Sequence, residues 1–230
     1  MTLRYAAASL ALLLLWACDA SDRSVQDNSQ VGPDAQLSDR QDESGRTAQP
    51  TGDVAGGPSD RGSTPAATPY GDRASIIPGL IEAEHYDQGA PGVAYHDKEP
   101  KNQGADYRGA TQVDIEKRDD ASNGHGIGWT RAGEWVTYTV DVLEAGEYVV
   151  EFPVASNKQG GIFHLEIDAV DITGPIEVPD TGGWQILKTI SAQTSRLEQG
   201  PAVIKMVMDS QGESGSIGDI DSLRFIRAKP

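Results

Sequence analysis

Two tryptophans stand directly after glycines, Trp129 in Gly126-Ile127-Gly128-Trp129 and Trp184 in Asp180-Thr181-Gly182-Gly183-Trp184. An indole at a glycine-rich turn is poorly placed to fill a core and well placed to act as an exposed flat platform. A sugar ring has an apolar C–H face that such a platform buries while the hydroxyls stay hydrogen-bonded. Trp135 is a third candidate. Alternation puts it with Thr137, Thr139 and Asp141, opposite Val136, Tyr138, Val140 and Val142, so it sits on the polar side of a strand, either under a loop or as a second platform. Glu166, on an outward face of its own strand, is its candidate polar companion, and Tyr138 belongs to the core.

The carboxylates suggest two further chemistries. Glu82 and Glu84 are two apart, so on a strand they point to one side and repel unless a cation lies between them. Such oxygen donors suit calcium far better than zinc. A glycoside hydrolase instead needs two carboxyl groups across a cleft, one with a raised pKa. Glu134 and Glu166 are the pair to nominate, although nothing in the sequence makes them converge. His85, His96, His125 and His164 show no metal-ligand spacing, and only His125 is close enough in sequence to Trp129 to be a ligand contact.

The elements that position these residues read as strands. Val136 to Val142 alternates strictly, Glu144-Ala145-Gly146 turns the chain into Tyr148 to Val154, and Phe163, Leu165 and Ile167 alternate with polar residues. Ala202 to Met208 and Ile217 to Phe225 supply two late strands. Short strands with regular turn signals, no long helical period and no internal repeat predict an all-β sandwich, with a jelly roll chosen over an immunoglobulin-type arrangement.

Before this region the composition changes twice. Arg4, the apolar run Ala6 to Trp16 and Ala17-Cys18 read as a signal peptide too short to span a bilayer. Leu15-Trp16-Ala17-Cys18 resembles a bacterial lipobox, with a bulky Trp16 where a small residue is usual. Cys18 is the only cysteine of the chain, which excludes an internal disulfide and makes it the expected acyl anchor. Residues 19–75 are rich in Ser, Asp, Gly and Pro, with ten acidic residues against five arginines, and read as a disordered tether spanning roughly 40 Å. Residues 76–230 form one domain, with 25 acidic residues against 13 Lys and Arg. That surplus repels phosphate backbones and argues against nucleic acid as a partner.

Taken in order, Ile81-Glu82-Ala83-Glu84-His85-Tyr86, Tyr95-His96-Asp97, Asn102-Gln103-Gly104, Val113-Asp114-Ile115-Glu116, Gly128-Trp129-Thr130-Arg131-Ala132-Gly133-Glu134-Trp135-Val136-Thr137-Tyr138, Ala145-Gly146-Glu147-Tyr148, Thr173-Gly174-Pro175, Pro179-Asp180-Thr181-Gly182-Gly183-Trp184 and Asp219-Ile220-Asp221-Ser222-Leu223-Arg224-Phe225 resemble a family 6 carbohydrate-binding module. The resemblance implies a non-catalytic jelly roll with a structural calcium. It also implies two possible sugar sites, a loop cleft holding Trp129, Trp184 and Asp219, and a sheet face holding Trp135, to which strand alternation adds Glu166 as companion. Asp219 replaces the family's usual Asn. The calcium ligands it implies are Glu82, Glu84, Asp221 and a backbone carbonyl of the Tyr107-Arg108 loop. The expectation is therefore a non-enzymatic, monomeric module that captures polysaccharide, first a β-glucan, with xylan and galactans also open. A lipid anchor would hold it to the inner or outer membrane of a bacterial envelope, in the periplasm or at the cell surface. A small hydrolase or a protein-binding adhesin on the same fold are the alternatives.

Overall fold

The computed structural model describes residues 66–229. The leader, Cys18 and residues 19–65 of the expected tether lie outside the described residues. The strands are β1 (Ser75–Ile77), β2 (Gly79–Glu82), β3 (Tyr95–His96), β4 (Ile115–Lys117), β5 (His125–Ile127), β6 (Trp135–Val142), β7 (Tyr148–Ser156), β8 (Ile162–Ile167), β9 (Val170–Asp171), β10 (Ile176–Glu177), β11 (Gly183–Gln193), β12 (Gly200–Ser210), β13 (Asp219–Ile220) and β14 (Ser222–Arg227). The helical content of the described residues is two single 3-10 turns, Tyr70–Asp72 and Ala83–His85.

The strands form two seven-stranded sheets. One runs β1-β6-β12-β8-β10, with β3 beside β6 and β9 beside β8; the other runs β2-β14-β7-β13-β5-β4, with β11 on the other side of β7. Apart from the consecutive pairs β4–β5 and β8–β9, neighbours in each sheet are not consecutive in the chain, as in the expected β-sandwich jelly roll. The alternation works as read: Tyr148, Val150, Phe152 and Val154 of β7 are buried, as are Val136, Tyr138, Val140 and Val142 of β6. Phe152 meets Phe163 of the opposite sheet edge to face, with ring centroids 5.1 Å apart, so this pair joins the two layers. Tyr138 is buried as expected, and its hydroxyl donates to the Ala83 carbonyl at 2.9 Å.

Three local features depart from the sequence reading. The fold begins before the expected boundary at Ile76: Thr68 and Gln88 exchange backbone hydrogen bonds, Tyr70 stacks on His85, and β1 pairs in parallel with β6. Proline, glycine and serine composition reads as tether, but the burial that orders this segment comes from residues far along the chain. The edge strand β11, eleven residues long, carries no clean alternation because its outer side stays exposed. The last expected strand is interrupted at Asp221, whose amide donates to Pro153 and whose carbonyl accepts from Ala83.

Candidate functional site

The Gly128-Trp129 turn ends β5, and Trp129 takes the left-handed conformation at φ 50°, rare for a bulky residue and costly by about 1 to 2 kcal/mol. Its ring is 44% exposed, so the strain holds an indole out of the core. A side chain on Gly104 would lie 3.0 Å from the Trp129 ring, so that glycine lets the loop abut the indole edge. Trp184 is the second residue of β11, which follows Gly182 at φ 95°, and Thr181 pins this loop by donating to and accepting from the Ser156 backbone. Both tryptophans line one cleft of about 360 Å³, together with Glu116, Arg131, Asp219 and the Ser214-Gly215-Ser216 loop.

The floor of this cleft is ionic. Arg118, whose side chain is wholly buried, donates to Glu116 at 2.7 Å, to Asp120 at 2.9 Å and to Asp219 at 3.0 Å. Gln185, the neighbour of Trp184, donates to the other oxygen of Glu116 at 2.8 Å. The wall that carries Trp184 is thereby tied to the floor. One guanidinium divided among three carboxyl groups does not neutralise them. Burial, then the adjacent Glu116, raises the Asp219 carboxyl well above the usual carboxylate range despite the guanidinium.

Trp129, Trp184 and Asp219, expected in one loop cleft, line the same cleft. Sequence reasoning treated Glu116 and Arg131 only as parts of motifs and missed Arg118 and Gln185. Glu116 and Arg118 are two apart, a spacing that puts both on one side of an extended segment, but an arginine beside a turn gives no sign of complete burial. His125 is not in the cleft lining; it stacks on Tyr107 with centroids 4.1 Å apart.

Trp135 lies half-buried on the outer face of its sheet, where the Lys205 ammonium stands 4.7 Å over the ring. Lys205 also pairs with Glu166 at 2.9 Å, and His164 binds Asp209 at 2.8 Å beside them. Trp135 and Glu166 therefore share a face, linked through a lysine that the alternation did not reveal. Glu134 is elsewhere. It is buried, accepts from the amides of Lys98 and Arg131, and belongs with Asp97 and Glu99 to a group of three carboxylates within 4.8 Å of one another. Arg131 answers Glu99 at 2.8 Å. Burial, and next the neighbouring acidic groups, push Glu134 up to about 7, while burial raises Asp97 to about 6. Glu134 and Glu166 share no partner, and neither lines the cleft that holds Trp129 and Trp184.

Glu82 and Glu84 correct a premise. Strand β2 ends at Glu82, and Glu84 lies on the 3-10 turn that follows, so strand spacing does not relate them. Ser122 donates to Glu82 at 2.5 Å and, through its amide, to Asp221 at 2.9 Å; Asn123 donates to Glu84 at 2.9 Å. Glu84 is fully buried and its Oε2 has no hydrogen-bond partner. Burial raises both glutamates above their ordinary values, and mutual repulsion with Asp221 adds to it. The Arg108 guanidinium lies over the Tyr70 and Tyr86 rings and donates to the Glu84 and Tyr86 carbonyls, bracing the turn. The three acidic groups are less tightly gathered than Asp97, Glu99 and Glu134.

The sequence model for "Carbohydrate binding module (family 6)" matches residues 103–227. The chain belongs to this family. It is a family of non-catalytic binding modules. A 91-residue stretch is 35% identical to the clotting factor G alpha subunit of Tachypleus tridentatus, covering 39% of this chain and 14% of that protein. Another stretch of 124 residues is 27% identical to beta-agarase AgaA of Microbulbifer thermotolerans, covering 54% of this chain and 28% of the enzyme. The chain thus spans well under a third of the length of either relative. Among solved structures, a β-1,3-glucan-binding family 6 module from Bacillus halodurans superposes with a TM-score of 0.52 at 24% identity, over 68% of this chain and all of that one. The module of Cellvibrio mixtus lichenase 5A, solved with cellotriose, gives 0.50 at 23% identity, over 66% and 99%. These similarities establish the sandwich fold.

Proposed function

We propose that this protein binds a β-glucan-like polysaccharide, without cleaving it, in the cleft lined by Trp129 and Trp184. The observation that carries this reading is the union, in one cleft, of two indoles held at glycine turns and a floor of hydrogen-bonding carboxyl groups. The indoles supply flat apolar surface for sugar faces, and Glu116 and Asp219 accept from hydroxyls. Glycan relatives support the choice: the Bacillus halodurans module is described as binding β-1,3-glucan and the Cellvibrio mixtus module was solved with cellotriose. Each stacked ring contributes about 0.5–1.5 kcal/mol beyond burial and each net hydrogen bond about 0.5–1.5 kcal/mol, against an association cost of at least about 4 kcal/mol. Affinity in the micromolar to millimolar range follows. An affinity-gel panel of glucans, xylans and galactans with a parallel reducing-sugar assay tests both halves; release of reducing ends would make the protein a hydrolase.

The carboxylates at the β2–β14 junction support a structural calcium ion. Glu84 Oε2 is a buried oxygen without a donor, and Glu82, Glu84 and Asp221 form an all-oxygen set of the kind a hard cation takes. Such an ion would neutralise their repulsion and tie the first strand of the sheet to the last. Arg108 contributes to this reading through its backbone carbonyl, on the strength of the resemblance alone. EDTA is expected to lower the melting temperature by several degrees and calcium to restore it; an unchanged melting temperature removes the ion from the account. Acylation of Cys18 would place the module on a bacterial envelope, and mass spectrometry of the membrane fraction checks for the acyl mass.

A further inference from the structure

The carboxyl groups under the cleft outnumber their cation. Glu116, Asp120 and Asp219 surround Arg118, which is wholly enclosed and has no other acidic partner to serve. Arg131, the other cation of the cleft, stands at the rim and is half-exposed, with Glu99 paired to it at 2.8 Å. Asp219 is 4% exposed; its Oδ2 takes the hydrogen bond from Arg118, and among the described residues its Oδ1 accepts none. Since Asp219 lines the cleft, this free oxygen faces whatever ligand enters. The backbone of Gly128 closes its other side, since a Cβ there would come within 3.1 Å of Oδ1. Glu116, with Gln185 on Oε1 and Arg118 on Oε2, sits beside it.

We propose that the cleft selects sugars carrying a free primary amine, hexosamine residues in their ammonium form, over the corresponding neutral sugars. The proposal rests on the cleft being the glycan site. A hydroxyl offers Asp219 only a neutral donor, whereas an ammonium supplies the positive charge that lets this carboxyl, held above the usual carboxylate range by burial and by Glu116, carry its own. Hydrogen bonds to an ionised partner are roughly twice as strong as neutral ones. The indoles suit the same ligand, because an ammonium near an aromatic face is attracted by the ring quadrupole and the pyranose face still stacks. A lysine-rich peptide brings the charge without a flat ring for the indoles.

The test is calorimetric titration of the full chain with glucosamine tetramer, its N-acetylated form, cellotetraose and tetralysine at about pH 6, where a sugar amine is charged. At low salt the glucosamine tetramer is expected to bind about 10-fold more tightly than cellotetraose. Salt should narrow that gap, and N-acetylation should abolish it. Asp219→Asn is expected to pull the ratio toward unity, and Trp184→Ala to weaken the amine and neutral oligomers together. Equal or weaker binding of the amine tetramer, beside measurable cellotetraose binding, overturns the proposal but leaves the cleft as a neutral-glycan site. A ratio unchanged by Asp219→Asn, or tetralysine binding as tightly as the amine tetramer, also overturns it, since the gain would then be general attraction to an acidic domain. Failure of every oligomer and polysaccharide to bind refutes the underlying glycan reading instead.

Discussion

The loop cleft and the Trp135 face are built from the same kinds of residue in opposite order. In the cleft the cation is underneath: Arg118 is sealed below Glu116 and Asp219, and the indoles of Trp129 and Trp184 are left to the ligand. On the sheet face the cation is on top, with Lys205 over the Trp135 ring and held there by Glu166. A sugar approaching the cleft meets aromatic carbon and the free oxygen of Asp219, while one approaching the sheet must first displace an ammonium. An indole near a carboxylate is therefore not enough to define a site; the depth at which the counter-charge sits decides whether the surface is available.

The comparison breaks most severely at Arg118. Arg118→Met leaves three carboxyl groups without their shared cation, and denaturant unfolding is expected to show a loss of about 3 to 5 kcal/mol. Lys205→Met, at the equivalent place on the sheet face, should cost far less. If the two losses are equal, burial of the counter-charge is not what separates the regions.

Next in size is the loss of a platform. Trp184→Ala is expected to weaken glycan binding by more than 10-fold, about 1.5 to 3 kcal/mol, with the melting temperature little changed. Trp135→Ala should alter the same titration by less than about 2-fold. Equal losses would make the sheet face a second working site despite its lysine.

A smaller effect concerns acid and alkali. Glu134 and Asp97 have folded-state values of about 7 and about 6, above their ordinary 4.5 and 3.8. The folded chain thus holds protons that the unfolded chain has released. Stability from these groups is full below about pH 4 and falls as pH rises through about 6 to 7, by about 1 to 3 kcal/mol in all. Melting temperatures across pH 4.5 to 8 measure it, and Glu134→Gln should flatten the upper part of the slope.

The smallest effect is expected at the lid of the sheet face. Lys205→Ala removes a partly exposed cation–π contact and should change stability by no more than about 1 kcal/mol. It should nonetheless make the fluorescence of Trp135 more accessible to acrylamide. Unchanged quenching would mean that Lys205 does not cover the ring.

Much of this was readable along the chain because it depends on neighbours in sequence. Alternation in Val136 to Val142 and Tyr148 to Val154 identified core strands, since successive side chains of a strand must face opposite ways. The glycines before Trp129 and Trp184 announced exposed turns for the same local reason. The spacing of Glu82 and Glu84 misled because the strand stops at Glu82, and nothing in Glu-Ala-Glu distinguishes a strand from a turn. The ordered segment before Ile76 was hidden by its loop-like composition; Gln88 and His85, which hold it, lie more than ten residues away.

By itself the sequence determined the all-β class, the core faces of the long strands, the two glycine-flanked indoles and the family to which they belong. These follow from residue type and periods of two, which act over a few positions. Only the tertiary structure decided that Arg118 lies beneath the cleft, that Asp219 keeps an oxygen free toward it, and that Lys205 covers Trp135. Those facts concern how deep a charge sits and what stands above it, and depth is set by strands that meet after separations of up to about a hundred residues. The energy of a charged group depends steeply on that depth.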